Sequence, residues 1–334
     1  MKNLFPHFYK ESKASKEDAI RSGLIFLDTN VLLHFFRLDE SFVQTFFQIL
    51  NKLQDRVFIP YQVAKEYHPK YLELCISLRK SYENAIKKLT DLKDPIQQLE
   101  SLKEDYVRFL NKDFKKDISK DFKILISQLE EKYHKEIDSL QKELENEELF
   151  MRIGDFFSNR VLKKLSNEEM EDVIKRGKER YDKKIPPGYM DGKKDDNQFG
   201  DFIIWEEMIK TVSAKSEIKY AIFVSDDVKE DWIIQICGEK HGPRNELIDE
   251  FYNRTNARFY KMTVASFINA VQNLYNVVDK SDAEKAQEAS TTFQNQQKSK
   301  NFDKISRKME KLPYKEEIES DIEIHEENNI DEID

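Results

Sequence analysis

Between Gly23 and Gly154 the chain contains no glycine, so a long stretch has no residue that enters left-handed backbone conformations freely. Folds that reverse direction every few residues through glycine-bearing turns are thereby disfavoured. The whole chain has only 8 Gly and 8 Pro in 334 residues, so a turn-rich all-β architecture is not expected anywhere in it. What remains is helices, and strands joined by helices.

The two ends of the sequence carry an α/β rhythm. Leu24-Ile25-Phe26-Leu27 is a short apolar run that stops at Asp28-Thr29-Asn30, the pattern of a buried parallel strand with polar residues at its carboxyl end. From Val31 to Leu53 apolar residues recur at helical spacing (Leu32, Phe35, Phe36, Phe42, Phe46, Phe47, Leu50). Arg56 to Pro60 reads as a second strand. Tyr61 to about Ser81 reads as a second helix, with Val63, Tyr67, Leu74 and Leu78 on one side.

From about 84 to 184 the rhythm stops. The stretch has abundant Lys, Glu and Leu and few β-branched residues. Phe122, Ile126, Leu129, Tyr133, Ile137, Leu140 and Leu144 follow a near-heptad spacing, and Leu99, Leu102, Tyr106 and Phe109 do similarly upstream. The pattern predicts an inserted helical, coiled-coil-like arm. It is a candidate surface for a protein partner or for self-association.

The rhythm then resumes with a loop over 185–191, a helix from Gly200 to Val212 and a strand Tyr220–Val224 ending in Ser225-Asp226-Asp227. A helix over 230–237, an edge strand Arg258–Met262 and a helix Val264–Tyr275 follow. Beyond about Asp279 the composition turns polar and predicts a largely disordered tail. The expected organisation is an α/β domain in two parts (1–83 and 185–278), a helical arm (84–184) and a tail (279–334).

Charge and cysteines narrow the partners. The net charge is −9, but Glu316 to Asp334 holds ten acids and no Lys or Arg, and removing them leaves +1 for the rest. A nucleic-acid partner is therefore compatible with the acidic total. The isoleucines interleaved in that tail suit either a docking segment or a plain solvated end. Two cysteines, Cys75 and Cys237, form no framework and no C-x-x-C pair. The amino terminus has no apolar signal core, and no long apolar run occurs. The expectation is a cytoplasmic protein with no membrane partner.

In a parallel α/β sheet, ligands bind outside the carboxyl ends of the strands. Two apolar strands here end in acids at that place, at Asp28 and at Asp226-Asp227. Clustered carboxylates repel unless something positive lies among them, and Mg2+ or Mn2+ suits oxygen ligands. Such a cluster activates water for attack on a phosphodiester. Each piece also has a plainer meaning, since an Asp after a strand is often a turn residue or a helix cap. Glu66 reads equally as an exposed helix residue, and Asp201 as a cap for its helix. Glu206 and Glu207 read as solvated, and His34 and His68, near the acids but in no zinc pattern, as structural.

Leu27-Asp28-Thr29-Asn30-Val31-Leu32-Leu33 resembles the opening strand and turn of PIN-domain nucleases. Val63-Ala64-Lys65-Glu66-Tyr67 is similar to their second acidic position, Gly200-Asp201-Phe202 to the third, and Val224-Ser225-Asp226-Asp227 to the fourth. Pro186-Pro187-Gly188-Tyr189-Met190-Asp191 and Gly242-Pro243-Arg244-Asn245-Glu246-Leu247 resemble a PIN-like subgroup with a large helical insertion. The resemblance covers roughly 20–80 and 185–275.

It implies a three-layer PIN-like fold with a mostly parallel sheet, and a Mg2+- or Mn2+-dependent nuclease of a kind that usually acts on RNA, so RNA is favoured over DNA; its role is open between a toxin, a defence effector and a processing enzyme. Carried over, the metal positions are Asp28, Glu66, Asp201 and Asp227, with adjacent Asp226 as alternative or addition. Asn30 would position the acids, Thr29 or Ser225 would contribute a hydroxyl, and Asp191 would assist. Lys193, Lys194 and Arg244 are candidate phosphate contacts. Two rivals remain. A haloacid-dehalogenase-like phosphatase also uses an Asp after its first strand, but needs a second Asp where this chain has Asn30. A non-catalytic scaffold would use the arm alone.

Overall fold

The computed structural model describes residues 13–92, 112–192, 194, 197–236 and 239–309. The chain opens with α1 (Lys13–Ser22), β1 (Leu24–Leu27), α2 (Thr29–His34) and α3 (Glu40–Lys52). There follow β2 (Val57–Phe58), α4 (Tyr61–Asp91), α5 (Lys112–Asn146), α6 (Glu148–Phe157) and α7 (Asn167–Asp182). The remainder is α8 (Gly200–Ser213), β3 (Tyr220–Val224), β4 (Ile233–Ile236), β5 (Glu239–Pro243), α9 (Asn245–Thr255), β6 (Arg258–Met262), α10 (Val264–Tyr275) and α11 (Lys280–Met309).

The central sheet has four parallel strands in the order β2-β1-β3-β6. Every residue of β1 is buried, as is β3 beyond its first residue. That explains why these strands read as unbroken apolar runs rather than alternating ones. This is the mixed α/β class with a parallel sheet that the sequence predicts.

The chain divides into two compact units, residues 38–49 with 264 onward, and the rest. In the larger unit α8 is buried almost all round, with Phe202, Ile203, Ile204, Trp205, Met208, Ile209 and Val212 inside. Trp205 packs on Phe259 at 4.9 Å, Phe251 at 5.3 Å and Trp232 at 6.1 Å between ring centroids. Burying each such aromatic contributes about 2–3 kcal/mol. In the smaller unit Phe46 meets Phe42 and Phe267, and α10 packs along α11.

Several elements differ from expectation. The helix predicted over Val31–Leu53 is two, because Asp39 accepts the backbone N–H of Phe42 at 2.9 Å and starts α3 afresh. The helix predicted over 230–237 is instead the hairpin β4-β5, since the β-branched run Ile233-Ile234 with Ile236 favours extended backbone. Residues 280–309 are helical rather than disordered. Their Ala, Glu, Lys and Gln are strong helix formers, and Ala283, Ala286 and Ser290 are buried. The acidic stretch 316–334 and the upstream apolar positions 99–109 lie outside the described residues.

The inserted segment does not behave as one arm. In α5, Ile126 is buried, and Tyr133 and Glu130 reach Tyr82 and Thr90 of α4. Farther on, Ile59 is bridged to Val161, and α7 packs against α8. The chain from α6 to α7 is thus built into the α/β unit. Among the described residues no helix is long and apolar enough to cross a membrane.

Candidate active site

Parallel registry places Leu27 opposite Val224, so Asp28 and Ser225 emerge side by side at the carboxyl edge of the sheet. The Asp28 carboxylate caps α2, accepting the N–H of Thr29 at 2.6 Å. It also accepts the Ser225 hydroxyl at 2.6 Å and the Asn30 amide at 2.5 Å. Cap and candidate ligand are therefore the same residue. Asn30 ties the two strand ends together, since its Oδ1 accepts the backbone N–H of Asp226 at 3.1 Å. Burial pushes Asp28 up to about 6; the Ser225 and Thr29 hydrogen bonds oppose this, and the charges of Asp227 and Glu66 add to it.

Glu66 lies in the second turn of α4 and is largely buried rather than surface-exposed, with its side chain 11 % accessible. It accepts hydrogen bonds from Asn197 at 2.7 Å, Gln62 at 3.0 Å and Thr29 at 3.3 Å, and pairs with Lys70 at 2.6 Å. Burial raises its pKa, but Lys70 with these amides outweighs burial and leaves Glu66 below its ordinary value. Gly200 makes the approach possible, because a Cβ there would stand 2.8 Å from Glu66 Oε1 and 2.5 Å from Asn197.

The entry of α4 is held by Glu207, whose carboxylate accepts the N–H of Gln62 at 3.0 Å. Glu207 and Glu206 are buried, contrary to the solvated reading. Glu206 is gripped at both oxygens by Arg176 and by Arg254. Burial pushes Glu207 up to about 7.

Asp201 is in the first turn of α8 and is not its cap, a position held by Phe199. Its Oδ2 accepts the Trp232 indole N–H at 3.2 Å. Burial pushes Asp201 up to about 7; Lys229 opposes this, while Asp227, Asp28 and Asp191 reinforce it. Lys229 Nζ lies 2.9 Å from Asp191, 2.9 Å from Asp227 and 3.9 Å from Asp201. Asp191 arrives on a loop anchored by buried Asp231, which accepts the N–H groups of Gly188 at 3.0 Å and Met190 at 3.1 Å. Gly188 has φ +94°, and a Cβ there would come 3.1 Å from the Cβ of Asp201.

The two neighbouring acids after β3 diverge. Asp226 turns to His34, 2.7 Å away and almost wholly buried. Asp227 faces Lys229 and also accepts its backbone N–H at 2.9 Å. Behind them, the ammonium of Lys261 donates to the carbonyl oxygens of Ser225 (3.0 Å) and Asp227.

The structure thus brings Asp28, Thr29, Asn30, Glu66, Asp191, Asp201, Ser225 and Asp227 into one region, with Lys194 on Asp191 at 2.7 Å. Arg244 is engaged with Glu246 and with the carbonyl of Glu230, and Lys193 lies outside the described residues. Sequence reasoning missed Lys229, Asp231, Trp232, Asn197 and Lys261. Only the first three carried a signal, following a strand end within eight residues of Val224, where such sheets place their sites.

Among the described residues, no three His, Cys, Asp or Glu side chains stand in an arrangement that would hold a metal ion. Asp191 and Asp227, with Asp201 farther off, gather on the Lys229 ammonium, while Glu66 pairs with Lys70. In kind, however, the donors suit a hard divalent cation: they are oxygens, and Asp28 and Asp201 are raised by burial and by neighbouring carboxylates that a dication would offset.

A family model described as a PIN like domain matches residues 24–247. No curated protein and no solved structure matches the chain.

Proposed function

Because the chain belongs to the PIN-like domain family, we propose that it is a divalent-cation-dependent nuclease that hydrolyses phosphodiester bonds, in RNA rather than DNA. PIN-like domains are generally nucleases, so a hydrolase acting on nucleic acid is the coarse conclusion. The observation that supports the finer reading is convergence. Asp28, Glu66, Asp201 and Asp227 come from the end of β1, α4, α8 and the loop after β3, yet Thr29 donates to both Asp28 and Glu66, the Ser225 hydroxyl links Asp28 to the backbone N–H of Asp227, and Lys229 lies 2.9 Å from Asp227 and 3.9 Å from Asp201.

In this reading Asp28, Glu66, Asp201 and Asp227 would hold Mg2+ or Mn2+, with Asp191 at the margin. When bound, the ion supplies an acidified water and neutralises charge developing on the phosphate. The rest is done by the chain. Asn30 and Ser225 orient Asp28, while Gln62 and Asn197 orient Glu66. Lys261 and the pair His34–Asp226 hold the loop that carries Asp227, much as outer residues elsewhere fix the ligands they support. Lys194 is suited to a phosphate contact. The preference for RNA rests on the family resemblance. The helices α4 and α5 expose Leu72, Ile76, Phe122, Ile124 and Leu125, and we assign this surface to a protein partner or to self-association.

The test is cleavage of labelled RNA, single-stranded DNA and duplex DNA with Mn2+, comparing wild type with Asp28→Asn. RNA cleavage lost in the variant supports the reading. Equal activity of both proteins removes Asp28 from the site, and cleavage of DNA alone corrects the substrate.

A further inference from the structure

Three acids of the site, Asp191, Asp201 and Asp227, surround a positive charge that the chain itself provides. Lys229 Nζ lies 2.9 Å from Asp191 Oδ2, 2.9 Å from Asp227 Oδ2 and 3.9 Å from Asp201 Oδ2. Its backbone N–H donates to Asp227 Oδ1 at 2.9 Å, so the residue grips Asp227 from both ends. The side chain is 35 % exposed and has solvent to move into.

The other nearby amines are placed differently. Lys194 reaches Asp191 from an exposed position. Lys70 serves Glu66. Lys261 bonds two backbone carbonyls, a structural role that a bound cation would leave intact.

We propose that Lys229 is a built-in counterion: its ammonium holds the acidic site closed in the cation-free protein, and a divalent cation displaces it. The inference rests on the cation-dependent reading above. With the ammonium seated between them at 2.9 Å, the Oδ2 atoms of Asp191 and Asp227 are spaced for an amine rather than for the roughly 2.0–2.1 Å that Mg2+ requires. Ammonium and dication repel each other, increasingly so away from bulk water. The dication brings twice the charge to the same oxygens, so the ammonium is the group that leaves. Its route is toward solvent, since the side chain is already 35 % exposed.

The full-length protein tests this in two ways. By titration calorimetry, Lys229→Met should bind Mn2+ more tightly than wild type, on the order of tenfold, with Asp201→Asn as a control for binding at this site. On the unmutated protein, acetylation of Lys229 read by mass spectrometry should be slow in EDTA and several-fold faster in saturating Mn2+, independent of whether the methionine variant folds. If wild type binds Mn2+ at the Asp201-dependent site but Lys229→Met binds it equally or more weakly, and acetylation of Lys229 does not rise, the counterion role fails and the nuclease reading stands. If wild type shows no Asp201-dependent Mn2+ binding, the cation reading fails and takes the counterion role with it.

Discussion

The carboxylate of Asp226 lies 2.7 Å from Nε2 of His34, in a contact where the two side chains are 7 % and 2 % exposed. Adjacent residues have thus been given different work, since Asp227 faces Lys229 and the acids of the site. Asp227→Asn should bring cleavage to background. Asp226→Asn should cost on the order of tenfold, through a loosened loop. Single-turnover cleavage of RNA by both variants checks this, and the reverse ranking would make Asp226 the ligand.

Asp28→Asn should lose cleavage without losing stability. Its carboxyl is raised from 3.8 to about 6 by burial first, so the folded protein binds the proton more tightly than the unfolded chain. Ionised Asp28 therefore lowers stability at pH above about 6, and this penalty disappears as pH falls below 3.8. In the absence of cation at pH 7.5 the variant should melt at or above the wild-type temperature, and the difference should vanish near pH 4. A variant that melts well below wild type at pH 7.5 would mean that the hydrogen bonds to Asp28 outweigh its repulsion.

Glu66→Gln should lower activity by orders of magnitude, with partial rescue at high Mn2+. The amide keeps an acceptor for Asn197 and Gln62 but removes the charge that pairs with Lys70. A loss smaller than threefold would place Glu66 outside the cation's reach, as a brace between α4 and α8.

Glu206 is a stability element away from the acids. Burial alone would raise its carboxyl, but Arg254 and Arg176 outweigh burial and hold it at about 2, against an ordinary 4.5. A depressed carboxylate stabilises fully above its unfolded value, and that contribution is lost as pH falls from 4.5 through about 2. Glu206→Gln should cost about 2 kcal/mol at pH 7, allowing for the part-exposed arginines. Urea melts at pH 7 and pH 3 should show the difference shrinking at the lower pH.

The inserted segment should be divisible. Replacing 84–146 by a flexible linker should leave the α/β unit folded. Removing 84–184 should unfold it, because α7 supplies Arg176 to Glu206 and Arg180 to Glu250. Circular dichroism and thermal melting of the two deletions distinguish the cases, and similar melting of both would mean that α6 and α7 are dispensable.

Much of the site was readable in the sequence because strand ends and helix starts are local events. An apolar run that stops at Asp28 announces a buried parallel strand and an acid at its carboxyl edge, whatever surrounds it. The same logic located the pair Asp226-Asp227, and family resemblance located Glu66 and Asp201. The packing of the sheet decided the rest. Glu206 and Glu207 carry no mark of burial in a Lys- and Glu-rich chain, and only the arrival of Arg176, Arg254 and the first turn of α4 makes their burial tolerable. No pattern in the sequence separates Asp226 from Asp227, because which neighbour faces the acids depends on where α2 brings His34. Lys229 looks like any solvated lysine until Asp191 and Asp201, distant in sequence, join neighbouring Asp227 within 4 Å of its ammonium. Local sequence determines which residues stand at the ends of strands and helices; charge pairing at long range is decided only when those ends meet.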